Sequence, residues 1–433
     1  MAAISVAFAQ QVGSNSPYGR YGYGLLSNQS FGASEAMGGI SYGLRRSQQV
    51  NPGNPASYSE LDTLTFVFDF GISGQYSDLS DGKNRQYFQN GNLDYVAMQF
   101  PILRKVGASI GLLPYSKVGY SYGQTKTDSN IIYDEIFRGN GGLSQIYGGV
   151  AYEPFRNFSI GANLSYIFGN FKYSNVSAPK TASSSTVGEE KKQYTIRDIK
   201  YDFGAQMAFP INRESAFTVG AVYQPKMNSK SDVFTSKMMY STDPYYYPSL
   251  TPTEVVSSDT LANQSFQLPE TFGLGFTYSN KNLLVGFDGT LQQWNGLDYP
   301  DVLDGMTKQN RFNNVYRING GAEYIIDPYS RNFFHRIRFR AGLSYGESYS
   351  NVSVYNIDNN ALIGVGGFKE YGVGFGLGLP FRDNMSGRVS LLNIGFNYST
   401  QRPDLPNMIR ENMFKLSLNM NINEFWFFKR QFN

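Results

Sequence analysis

Residues 51–71 read NPGNPASYSELDTLTFVFDFG, a rigid stretch that hands over to strict alternation. Two Asn-Pro pairs, Asn51-Pro52 and Asn54-Pro55, come first. Proline fixes φ and pushes the residue before it out of the helical region, so these pairs mark a turn. Then Leu64, Phe66, Phe68 and Phe70 alternate with Thr65, Val67 and Asp69. Period two with one apolar face is a β-strand with an apolar medium on one side. The pattern recurs. Phe158, Ile160, Ala162, Leu164, Tyr166 and Phe168 oppose Ser159, Gly161, Asn163 and Ser165. Tyr316, Ile318, Ala322, Tyr324 and Ile326 oppose Arg317, Asn319 and Glu323. Ile337, Phe339, Ala341, Leu343 and Tyr345 oppose Arg336, Arg338, Arg340 and Ser344, and Phe414, Leu416, Leu418, Met420 and Ile422 oppose Lys415, Ser417, Asn419 and Asn421.

About fourteen such segments start near residues 61, 92, 105, 143, 157, 196, 215, 270, 282, 314, 334, 369, 387 and 412. Each is read as near the ~9–11 residues that carry a tilted strand across a bilayer. Short connections (LRKVG, EPFRN, PINRES, SNKN, DPYSRNFF, PFRDN) alternate with long polar ones at 74–91, 123–142, 170–195, 226–267, 296–313, 347–368 and 400–411. An even count, short turns at one end and long loops at the other are the marks of an outer-membrane barrel. Lipid forbids open sheet edges, so the sheet must close. The expected fold is all-β: a 14-stranded antiparallel transmembrane β-barrel, in the bacterial outer membrane.

Composition narrows function. The 433 residues include no cysteine and one histidine, which removes disulfides, thiol nucleophiles and Cys-ligated metals. No Ser-His-acid set forms around any histidine but His335, at the edge of a short turn, so no enzyme is expected. No cofactor or metal is expected, although Asp298, Asp301 and Asp304 in LDYPDVLDG raise calcium, at a spacing that fits no defined loop. With 37 Lys and Arg against 34 Asp and Glu there is no basic stripe for nucleic acid.

The N-terminus divides in two. MAAISVAFA, residues 1–9, reads as the back half of a signal peptide ending in a small-x-small pattern. Residues 10–60 do not alternate and are rich in Gly. The barrel is assigned to 61–423, and 424–433, within NEFWFFKRQFN, to a periplasmic tail. A fourteen-stranded lumen is too wide for wall side chains to fill. Residues 10–60 are therefore read as an N-terminal lumenal hatch, with Leu25, Leu26, Phe31, Met37 and Ile40 as anchors.

ASEAMGGISYG followed by NPASYS just before the first strand resembles the hatch of the long-chain fatty acid transporter (FadL-type) outer-membrane family. The likeness implies a fourteen-stranded barrel whose hatch carries an Asn-Pro-Ala motif, here Asn54, Pro55 and Ala56, with Met37, Gly38 and Gly39 upstream as gating residues. In that family a kink in the third strand opens a lateral path to the membrane, and Pro114-Tyr115 stands at the matching place. The doubled NPGNPA and the C-terminal extension depart from the pattern.

Three further features stand out. Proline removes a ladder hydrogen bond, so Pro114 breaks the third strand. Gly372, Gly374, Gly376 and Gly378 share one face of the twelfth segment and suit close approach of the hatch, or simple curvature. Lumenal Arg317, Arg336, Arg338, Arg340, Glu323 and Asp288 either pair with one another or offer a ligand carboxylate a guanidinium fork. Asp198, Lys200 and Asp202 also face inward, and Tyr245, Tyr246, Tyr247 and Leu250 suit an outer groove. The reading is an uptake protein for hydrophobic molecules, long-chain fatty acids or similar, through a plugged barrel with a lateral opening. The alternative is a non-transport outer-membrane subunit of a secretion or assembly complex. The expected partners are outer-membrane lipid, a hydrophobic small molecule, and a protein in the outer membrane or periplasm.

Overall fold

The computed structural model describes residues 14–62, 65–128, 131–180, 186–245, 250–300, 308–355, 362–382 and 388–425. Fourteen strands make the wall: β1 (Thr65–Ser80), β2 (Arg85–Leu103), β3 (Val106–Asp128), β4 (Ile131–Phe155), β5 (Phe158–Pro179), β6 (Val187–Pro210), β7 (Ala216–Gln224), β8 (Glu270–Ser279), β9 (Leu283–Gln293), β10 (Val315–Ile325), β11 (Arg338–Glu347), β12 (Phe368–Arg382), β13 (Val389–Pro403) and β14 (Arg410–Phe425). Each runs antiparallel to the next, and β14 pairs back onto β1 from Arg410↔Ser80 to Phe425↔Thr65. The sheet is closed.

The alternation sorts the side chains as lipid demands. Ile318, Leu343 and Phe375 stand outward, each about 60% exposed, while Asn319, Glu323 and Arg340 on the same or neighbouring strands are buried inside. At one end the links are tight. Lys105 and Asn157 take φ of 70° and 66° in the two-residue turns joining β2 to β3 and β4 to β5.

At the other end the strands run far beyond the bilayer. β3 to β6 have 23, 25, 22 and 24 residues, about twice what a crossing needs. The expected loops at 123–142 and 170–195 are largely these strands continuing, and 226–267 contains a hairpin of Met227–Tyr240 with Glu254–Leu268. Its first strand extends the sheet from the upper part of β6, Val187↔Tyr240 to Tyr194↔Val233. Outside lipid neither face of a strand must be apolar, so period two loses the contrast by which it is recognised. The C-terminal boundary also shifts: Glu424 and Phe425 still belong to β14, paired with Phe66 and Thr65. Residues 1–13 and 426–433 lie outside the described part, and with them the signal-peptide reading and the rest of the tail.

Candidate functional site

The chain from Ser14 to Asp62 runs down the inside of the barrel, from the long-loop end to the short-turn end. Its lower part is pinned by a short 3-10 helix, Pro55–Glu60. Asn54 caps it, its Oδ1 accepting from Ala56 N at 3.1 Å, while its Nδ2 donates to Tyr42 O at 2.8 Å and to Ala205 O of β6 at 3.3 Å. Tyr58 Oη donates to Asn163 Oδ1 at 3.0 Å, and Ser59 Oγ to Ser159 Oγ at 2.7 Å. The Asn54-Pro55-Ala56 motif thus sits inside the lumen against β5 and β6. Higher up, Asp288 of β9 accepts the amides of Ser41 and Tyr42 at 2.5 and 2.8 Å. Asp288 therefore anchors this segment.

Much of the seat is bare backbone. A Cβ at Gly107 would strike Tyr58 O; at Gly161, Pro55; at Gly220, Tyr42 O; at Gly321 and Gly342, the backbone of Met37 and Gly38; at Gly374, Ala36 O. These glycines lie on β3, β5, β7, β10, β11 and β12, so a shelf of missing side chains runs round much of the wall. Of the four β12 glycines, Gly374 and Gly376 face Ala36, whereas Gly372 and Gly378 make room for Ser344 and Arg340. The other shelf glycines fall on inward positions of alternating strands, as in NGGAEY and AGLSYG, so the signal was available. Gly38 itself has φ 70°, and a side chain there would collide with Leu343 O. Gly39 takes φ 90° beside it.

The upper part is clasped by aromatics. Tyr299 Oη and Tyr173 Oη donate to Gly22 O at 2.6 and 3.3 Å, and Tyr349 Oη donates to Gly24 O at 2.7 Å. Tyr23 is 1% exposed within a cluster containing Trp294, Phe312, Phe171, Tyr194 and Phe266. This cluster is contributed by the tall strands and the outer connections and packs round the upper part of the N-terminal segment. The sequence signal was the YGRYGYG run, which alternation alone passes over.

The wall is interrupted on one side. β2 and β3 pair from Leu103↔Val106 only as far as Val96↔Leu112. Beyond Leu112, β3 pairs with β4 alone among the wall strands, with Tyr115 bulged out of register between Pro114 and Ser116. Tyr115 turns into the aromatic cluster. The freed edge of β3 is taken by two residues of the N-terminal segment, Leu25↔Lys117 and Leu26↔Ser116. On the β2 side, a register shift beside Asp94 leaves it facing Lys415 of β14 at 3.2 Å, and Lys415 also meets Glu35 at 2.5 Å. Between them lies a cavity of about 280 Å³ lined by Gln75, Asp94, Lys117, Arg317, Glu370 and Lys415 among others. Charged side chains share this lining with apolar ones, Leu25, Phe31, Val315, Phe368 and Met413 among them.

A second cavity of about 500 Å³ opens at the short-turn end. Behind it Glu323 of β10 receives three arginines: Arg46 at 2.8 Å, Arg338 at 3.3 Å and Arg340 at 2.7 Å. Arg46 comes from the N-terminal segment and was not singled out in the sequence. Arg336 does not join them. It ends a 3-10 turn, Phe333–Arg336, that precedes β11, because the strand starts only at Arg338. Arg317 lines the upper cavity instead. His335 is exposed in the same 3-10 turn, its Nδ1 3.3 Å from Ser330 Oγ. Of the loop acids, Asp298 pairs with Lys308 at 2.5 Å, whereas Asp301 and Asp304, like Tyr246 and Tyr247, lie outside the described residues. No group of three metal-binding side chains occurs among the described residues.

A family model described as BamG matches residues 1–433. This chain belongs to the BamG family. Among solved structures, this BamG-family barrel is similar to a Pseudomonas aeruginosa FadL homologue (TM-score 0.59, 14% identity, 92% of this chain and 99% of that one). It is likewise similar to the monoaromatic hydrocarbon channel CymD (0.59, 14%, 92% and 99%) and to the P. putida toluene transporter TodX (0.56, 14%, 93% and 100%). No curated protein sequence matches. At this identity the likeness establishes a FadL-type fold, and fatty-acid specificity does not come with it.

Proposed function

We propose that this chain is a sealed barrel of the bacterial outer membrane that serves as a subunit of a larger secretion or assembly complex, docking proteins rather than conducting solutes. The observation that carries this reading is the state of the lumen. The N-terminal segment rests on the wall glycines, a buried aromatic cluster packs round its upper part, and Asp94, Lys117 and Lys415 stand in what space remains. An apolar molecule entering this space would have to pass the N-terminal segment and would strip water from Asp94, Lys117 and Lys415 as it met the apolar part of the lining. The tall outer sheet and the basic short-turn end supply surface for partners on both sides. Tagged chain extracted from native membranes should bring down a protein in equimolar amount. Recovery of the chain alone, carrying lipid or hydrocarbon, overturns the reading.

One observation favours a second reading, uptake of hydrophobic molecules such as fatty acids. The ladder between β2 and β3 is broken above Leu112, and the similar structures include a toluene transporter and a hydrocarbon channel. In that reading Pro114 and Tyr115 set the lateral opening. Asn54, Pro55, Ala56, Met37, Gly38 and Gly39 belong to the part of the segment that must shift, and Arg317 faces the ligand.

A further inference from the structure

We infer that the basic vestibule at the short-turn end is a docking site for an acidic segment of a partner protein, an inference that rests on the subunit reading and names the chemistry of one partner. The vestibule is lined by Arg45, Arg46, Arg213, Lys281, Arg338 and Arg340, against the acids Glu60, Asp69 and Glu214. Arg45 is already matched, to Glu60 at 2.5 Å and Glu153 at 3.7 Å. Arg46, Arg338 and Arg340 are not. They share the single carboxylate of Glu323, so this trio carries more positive than negative charge, offset in part by Asp69 on the same lining.

Arg340 is 4% exposed; its Nε donates to Glu323 and its Nη1 to Asn393 Oδ1 at 2.7 Å, while Nη2 has no partner among the described residues. A buried guanidinium N–H without an acceptor is costly, and Arg340 carries that cost at the inner end of the vestibule it lines. Arg338 and Arg46 keep about a fifth of their side chains exposed beside it. Guanidinium forks match carboxylates in shape and hold them with two parallel hydrogen bonds. A cavity of about 500 Å³ has the size of ordinary ligand pockets and holds more than a single ion.

Position selects among anions. The wall encloses the vestibule, and its mouth lies among the short turns, so the occupant arrives from water and not from the bilayer. A lipid headgroup would have to leave its leaflet. An Asp- or Glu-bearing segment has no such constraint, and once seated it would touch the N-terminal segment through Arg46 and the wall through Arg338 and Arg340.

The test uses the full chain in detergent micelles and fluorescein-labelled hexaglutamate, followed by anisotropy. Saturable binding that weakens with added salt is expected, with hexaglutamine not binding. Arg338→Gln should weaken binding about tenfold. That variant leaves Arg46 and Arg340 on Glu323, and Arg46→Gln provides a second one outside the wall. No hexaglutamate binding, or unchanged affinity in both variants, overturns the site. Displacement of hexaglutamate by inorganic phosphate at equal charge would reveal a general anion site and overturn the acidic-segment assignment. The two readings fail separately. If tagged Arg338→Gln recovers a partner as well as the parent does, the vestibule assignment falls and the subunit reading stands. If hexaglutamate binds but no partner is recovered, the subunit reading falls.

Discussion

At Gly342 the residue acts by what it lacks. A Cβ there would fall against the backbone of Met37 and Gly38, which leave no flexible side chain to move aside. Gly342→Val should therefore push the N-terminal segment off β11 and lower unfolding free energy in urea by about 1–3 kcal/mol, as overpacking does elsewhere. Gly188, on β6, has nothing within 4 Å of the same construction, so Gly188→Val is the matched control and should leave the midpoint nearly unchanged. Equal effects of the two substitutions would mean that the shelf is ordinary strand glycine. The same contrast shows what the inward placement of these glycines leaves open in sequence. Gly342 and Gly188 look alike as letters, and only the approach of residues 36–43 from elsewhere in the chain separates them.

Among the elements, β3 joins the most behaviours in one strand. Its lower half is ordinary wall, Tyr115 is a bulge, and above it one edge has lost its neighbour and gained Leu25–Leu26. Pro114 announced this in the sequence, because a closed ladder does not tolerate a missing donor in its middle. The fourteen crossing segments were legible for a related reason: lipid imposes one apolar face on every strand, and each expected segment coincides with part of a wall strand. The upper halves of β3 to β6 were not legible, since water on both sides removes that constraint. Neither was Arg46, whose partner Glu323 lies on β10, far along the chain. Leu26 and Ser116 are opposite one another in antiparallel register, within the Cα separation a disulfide accepts. The chain has no cysteine of its own, so Leu26→Cys with Ser116→Cys gives a clean lock. Oxidation should leave partner recovery unchanged if the barrel is a subunit. If it blocks accumulation of a labelled fatty acid by whole cells, and reduction restores it, the lateral route is in use.

For the molecule as a whole, the plug and the wall make separable predictions. The intact chain should be electrically silent in a planar bilayer. Removal of residues 14–62 should give large, steady conductance, because fourteen strands enclose more space than their side chains fill. Silence in both would place the seal in the aromatics of the tall strands and outer connections alone. The seam between β14 and β1 carries a different consequence. Synthesis delivers β1 early, yet the edge it turns away from β2 finds its wall partner in β14, the last of the described strands, sixteen residues long. Until that strand arrives, β1 and β13 each present a row of unsatisfied amides and carbonyls, which hydrocarbon does not tolerate. Closing the ring and entering the bilayer are therefore one event, and the nascent chain has to keep two sticky edges apart from every other sheet it meets on the way.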